Sequence, residues 1–127
     1  MMRSRETLLR LHRFRTEEKR RQLADMEFMI QDFTRKYEDL DAQVKFEEGR
    51  NGVSDPSHFN YSLSAKAARG RRDNLMRSIA ELKDQLAEVQ ESLAAEEQEL
   101  RRVEMLAEKE SGSASAMPVQ AAAQGMR

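Results

Sequence analysis

The sequence predicts an all-α protein: two long helices folded back on each other as an antiparallel coiled-coil hairpin. Three observations predict it. Apolar residues recur in three-four alternation along two stretches, one break bearing glycine and proline divides them, and charge changes sign block by block along the chain. Composition agrees, with 39% hydrophobic residues against 35% charged, 6% aromatic and no tryptophan, and a mean hydropathy of −0.84. So polar a chain lacks the bulky apolar surface that closes a globular core, but it has enough for a single seam.

The first helix is expected over about residues 4–48. Its seam is Leu23, Met26, Ile30, Phe33, Tyr37, Leu40 and Val44. Upstream, Leu8, Leu9, Leu11 and Phe14 continue the pattern less regularly, and the heptad positions Thr16 and Lys19 interrupt it, so looser packing is expected there. The group Leu8, Leu9, Leu11 and Phe14 exceeds what one seam uses. Its members are candidates either to face a partner or to pack against Val103 and Leu106.

The break is Gly49-Arg-Asn-Gly-Val-Ser-Asp-Pro56, with the turn expected at 49–55. Asp55 is a candidate cap for a second helix that opens at Pro56, where proline suits the first helical position. The second helix is expected over about 56–110, with 56–62 readable either as its first turns or as an ordered loop. Its seam is Tyr61, Ala65, Ala68, Arg72, Leu75, Ile79, Leu82, Leu86, Val89, Leu93, Glu96, Leu100, Val103 and Ala107. Arg72 and Glu96 are the charged interruptions, and both are expected to snorkel out to water. Residues 111–127, rich in Ser, Ala and Gly, read as a flexible tail.

Topology follows from charge. Residues 1–22 carry a net +5, 23–48 a net −5, 49–77 a net +4 and 78–110 a net −6. A fold-back near Asn51-Gly52 sets positions summing to roughly 105 side by side, so opposite signs meet, whereas a parallel dimer sets like against like. The hairpin is therefore intramolecular, and the isolated chain is expected to be monomeric.

Several functional classes lose support. The chain has no cysteine, which removes disulfide, thiolate-metal and cysteine-nucleophile chemistry. The N-terminal stretch never reaches the apolar core of a signal peptide, and no run approaches ~18 apolar residues, so neither secretion by that route nor membrane insertion is expected. His12 and His58 lie far apart and form no metal-ligand spacing. His58 is instead expected to help cap the hairpin tip, with Phe59 as its apolar plug. Carboxylate pairs such as Glu47-Glu48 and Glu96-Glu97 read as solvated helix faces, since a thin helix pair cannot desolvate an outward carboxyl. Arg69, Arg71, Arg72 and Arg77 face acidic opposite numbers and lack interleaved aromatics, so nucleic-acid binding is not expected. No catalytic residue, cofactor or metal is expected.

Four segments carry a family resemblance: Ser4-Arg-Glu-Thr-Leu-Leu-Arg-Leu-His-Arg-Phe14, Glu18-Lys-Arg-Arg21, Ser54-Asp-Pro-Ser-His-Phe-Asn-Tyr61 and Arg71-Arg-Asp-Asn-Leu75. Over about residues 3–110 the chain resembles the FliJ-type flagellar export proteins in their alphaproteobacterial version. The resemblance implies a non-enzymatic component of the flagellar type III export apparatus, similar in shape to the central stalk of rotary ATPases. It implies as partners the export ATPase and its regulator, the cytoplasmic domain of the export gate and export chaperones. It also implies a cytoplasmic location, peripheral at the inner membrane through the apparatus. The gate contacts of better-known members lie early on the second helix, which here places Tyr61, Ala65, Ala68, Arg69 and Arg72 as candidates. A coiled-coil holdase and a self-associating scaffold are the alternatives; the short break lacks the strand-forming hub of prefoldin-like subunits.

Overall fold

The computed structural model describes the backbone from Met2 to Gly125 and the side chains of residues 4–111. The element order is α1, Met2–Asn51, then α2, Leu63–Gly125. There is no strand among the described residues. Apart from Ser111, the tail expected at 111–127 lies outside the residues whose side chains are described.

α1 runs through Gly49, further than the expected turn boundary, and stops where Gly52 takes a positive φ of 75°. That left-handed residue lets its N–H return to the Glu48 carbonyl at 2.9 Å, closing the last helical turn. α2 begins at Leu63 rather than near residue 56. The cap is Ser62, whose hydroxyl accepts the Ala65 N–H at 3.2 Å while its carbonyl accepts the Lys66 N–H at 2.9 Å. Asp55, expected to cap a helix at Pro56, instead closes a local turn by accepting from the Ser57 N–H at 3.0 Å and the Ser57 hydroxyl at 2.8 Å. Its carboxyl is held below the usual range by those Ser57 bonds.

The structure divides into two compact units, Gln22–Glu88 and the pair of segments Met1–Arg21 and Val89–Arg127. In the turn unit, 22–88, the helices are antiparallel and joined by 52–62. Met26, Val44, Tyr61, Ala65 and Ala68 are buried, and Leu23, Ile30, Phe33, Tyr37, Leu40, Leu75, Ile79, Leu82 and Leu86 are half-buried. These are the heptad positions, so in this unit the spacing alone selects the inward face. The alanines, with Ala65 at 0% exposure, bring the two backbones close near the turn.

In the terminal unit α1 and α2 are again antiparallel: Arg5 pairs with Glu110 at 2.9 Å, and Arg20 with Glu97 at 3.6 Å. The interior differs in kind. α2 supplies buried Leu93 and Val103 with half-buried Leu100 and Ala107, whereas α1 supplies Leu9 together with buried His12 and Thr16 and half-buried Arg5 and Lys19. Thr16 is 1% exposed and satisfies its hydroxyl by donating to the His12 carbonyl at 2.7 Å.

Candidate partner-binding surfaces

The two seam charges stay at the seam. In the turn unit Arg72 donates to Asp41 at 3.0 Å and also reaches Asp73, and its side chain is 18% exposed. Hydrogen bonds from Lys45 and Arg72 hold the Asp41 carboxyl below its ordinary value. In the terminal unit the His12 Nδ1–H donates to Glu96 Oε1 at 2.8 Å, with Lys19 Nζ 3.6 Å from the other oxygen. The His12 hydrogen bond, helped by the charges of Lys19 and Arg15, depresses the Glu96 carboxyl. Both were expected to snorkel. They do not, because each finds an opposite charge across the helix pair, which offsets the cost of partial burial.

Of the candidate gate contacts, Tyr61, Ala65 and Ala68 are buried between the helices and offer no surface to a partner while the turn unit is folded. Tyr61 also donates its hydroxyl to Glu48 at 2.8 Å, and burial followed by that carboxylate pushes its ionisation up. Arg72 is committed to Asp41 and Asp73. Arg69 is half-buried, and its charge beside the Tyr61 phenol partly counters that rise.

The surface beside them holds what the heptad pattern does not mark. Phe59 is 89% exposed and Leu63, the first residue of α2, 83%. Phe59 is therefore no plug: its ring stacks on His58 with centroids 4.7 Å apart, outside the seam. The loop that presents it is tied at many points. Asn51 Nδ2 donates to the Asn60 carbonyl at 2.6 Å, the Asn60 N–H donates to His58 Nδ1 at 3.0 Å, and the Tyr61 N–H donates to the His58 carbonyl at 3.0 Å. A side chain held outward by such a loop has little freedom left to lose on binding. The capping role expected of His58 is thus found, through its ring nitrogen and its carbonyl.

In the terminal unit, Leu8, Leu11 and Phe14 all face solvent, Phe14 at 62% exposure, instead of packing inward. Met105 and Leu106 of α2 are exposed as well. The grooves in both units are open clefts between surface side chains, such as that of Lys36, Leu40, Arg71 and Leu75. Among the described residues no group of His, Cys, Asp or Glu is arranged to hold a metal, and no helix is long and apolar enough to cross a membrane.

Compared with protein-family models, curated proteins and solved structures, the chain matches none.

Proposed function

We propose that the protein is a non-enzymatic binding component of the flagellar type III export apparatus, engaging the export ATPase and the export gate through side chains on the outside of its helix pairs. The observation that carries the binding half is the inversion of apolar residues. Small Ala65 and Ala68 occupy the interior near the turn while Phe59 and Leu63 stand in water. Exposed aromatic side chains on an ordered frame are enriched at protein interfaces, and an adjoining apolar residue enlarges the patch. The flagellar half rests on the resemblance of the opening segment and of the Asp55-Pro-Ser-His-Phe59 block.

The gate footprint moves accordingly from Tyr61, Ala65 and Ala68 to Phe59 and Leu63, flanked by Lys66 and Arg69. Titrating the purified gate domain against the wild-type chain and against Phe59→Ala/Leu63→Ala tests it. The footprint predicts at least a tenfold loss of affinity; an unchanged affinity would contradict it.

A further inference from the structure

Asn51 and Gly52 form the only Asn-Gly pair in the chain, and both are exposed where α1 ends. Such a pair is chemically distinctive. When its backbone is free, the glycine nitrogen can attack the asparagine amide carbon, because no Cβ on the following residue obstructs the approach. A Cβ placed at Gly52 meets nothing within 4 Å, so no neighbouring side chain crowds this peptide either. The other asparagines, Asn60 and Asn74, are followed by Tyr61 and Leu75, whose side chains hinder the same attack.

The folded turn engages both reacting groups. The Gly52 N–H donates to the Glu48 carbonyl at 2.9 Å, so the proton on the attacking nitrogen is held in the last helical bond of α1. Asn51 Nδ2, the leaving nitrogen, donates to the Asn60 carbonyl at 2.6 Å and is tied across the loop. Attack requires the first bond to break and the side chain to turn back onto its own backbone. The bond to Asn60 is also one of the ties that hold the loop 52–62 and present Phe59 at 89% exposure.

We propose that Asn51 is a site of spontaneous deamidation which the folded turn restrains, and that its conversion unlatches the loop 52–62. In the first step the Gly52 nitrogen gives up its proton and bonds to Asn51 Cγ, the Cγ–Nδ2 bond breaks, and ammonia departs, leaving a succinimide. Water then opens the ring. Breaking the bond from the Gly52 nitrogen to Cγ yields Asp, and breaking its bond to the Asn51 backbone carbonyl carbon yields isoaspartate. One ammonia is exchanged for one water, with no change of oxidation state. Neither product offers an amide proton to the Asn60 carbonyl, since a carboxylate only accepts. The new negative charge also stands at the carboxyl end of α1, one turn past Glu47 and Glu48, where the helix dipole and those neighbours disfavour it. Isoaspartate further adds a methylene to the main chain just before Gly52, whose N–H closes the last helical turn. The proposal rests on the turn alone and does not depend on the flagellar assignment.

Incubation of the full chain in mildly alkaline buffer, folded and in concentrated guanidinium chloride, tests it. The tryptic peptide 51–66 carries both Asn51 and Asn60, and fragmentation mass spectrometry assigns the converted residue. In denaturant Asn51 is expected to convert at least about tenfold faster than Asn60 or Asn74, and Gly52→Ala to slow it at least about fivefold by restoring a Cβ at the attacking residue. Folding of the wild-type chain is expected to slow Asn51 at least about fivefold, because reaction requires local opening of the turn. Asn51→Asp places the new charge without rearranging the chain. It is expected to speed amide hydrogen exchange at Gly52 and Tyr61 at least about threefold. Asn74→Asp, at an exposed position of α2, should leave both amides unchanged. Conversion of Asn51 no faster than that of Asn60 and Asn74 in denaturant, equal rates in the folded and unfolded chain, or exchange in Asn51→Asp indistinguishable from wild type would each overturn the proposal.

Discussion

His12 and Glu96 meet inside the terminal unit, Nδ1 to Oε1 at 2.8 Å, at positions where a regular heptad would set two apolar side chains. A carboxylate only accepts, so the contact fixes the proton on Nδ1 and leaves Nε2 to the other side of the ring. Lys19 closes the group from about two turns further along α1. The polar cluster gives this unit a marked register at the expense of hydrophobic stabilisation, since sliding either helix would strand charge in a half-buried place.

Acid should loosen this unit. The Glu96 carboxyl sits below its ordinary value of 4.5 because the His12 hydrogen bond and the charges of Lys19 and Arg15 favour the ionised form. The folded state thus binds this proton less readily than the unfolded chain does. The stabilisation is complete above the unfolded value and is lost as pH falls through the lower folded value. Glu96→Gln should therefore cost on the order of 1 kcal/mol near neutral pH, and the gap to wild type should close as both are taken into acid. Urea unfolding at a series of pH values checks it; a gap independent of pH would place the stabilisation elsewhere.

The turn offers two separable backbone tests. A Cβ at Gly52 meets nothing within 4 Å, so Gly52→Ala costs only the strain of a φ of 75°, about 1 kcal/mol. Ser62→Ala removes the α2 cap and should cost about 1 kcal/mol as well. Pro56→Ala should do less, because no helix opens there. Denaturant midpoints of the three variants rank the effects; a larger loss at Pro56 than at Ser62 would contradict the boundary.

Seam and surface should respond oppositely. Leu93→Ala empties a buried position in a seam flanked by water and able to relax, so a loss near 2 kcal/mol is expected, at the low end for such truncations. Phe59→Ala removes a larger side chain yet should change the unfolding free energy by less than about 0.5 kcal/mol, since its ring touches little besides His58. Thermal melts compare the two.

Much of this architecture was legible in the sequence, because the three-four spacing is local and each seam residue from Leu23 to Val44 follows it inward. Charge blocks also gave the antiparallel direction. What could not be read was register. Reversal at Asn51-Gly52 sets Asp41 opposite Ser64 and His12 opposite Leu93, whereas the ordered loop 52–62 displaces the pairing so that Asp41 meets Arg72 and His12 meets Glu96. Without those partners Arg72 and Glu96 looked like charges that must escape to water. Ser62 was the missed signal at the second helix: a hydroxyl residue just ahead of an alanine- and leucine-bearing run competes with Asp55-Pro56 for the cap. The exposed candidates Leu8, Leu11 and Phe14 were legible because they fall outside the heptad. Tyr61, Ala65 and Ala68 fall within it, and the buried seam positions that the spacing assigns them leave no surface for the contacts the resemblance implied.

The proposed role as a coupling component for the export ATPase is checked by ATP turnover of the purified ATPase titrated with the chain at low salt. Saturable complex formation with faster turnover is expected, diminished when exposed residues of the terminal unit such as Phe14 are changed to Glu and retained in Phe28→Glu. Absence of both binding and stimulation would contradict it and favour a coiled-coil holdase or a self-associating scaffold.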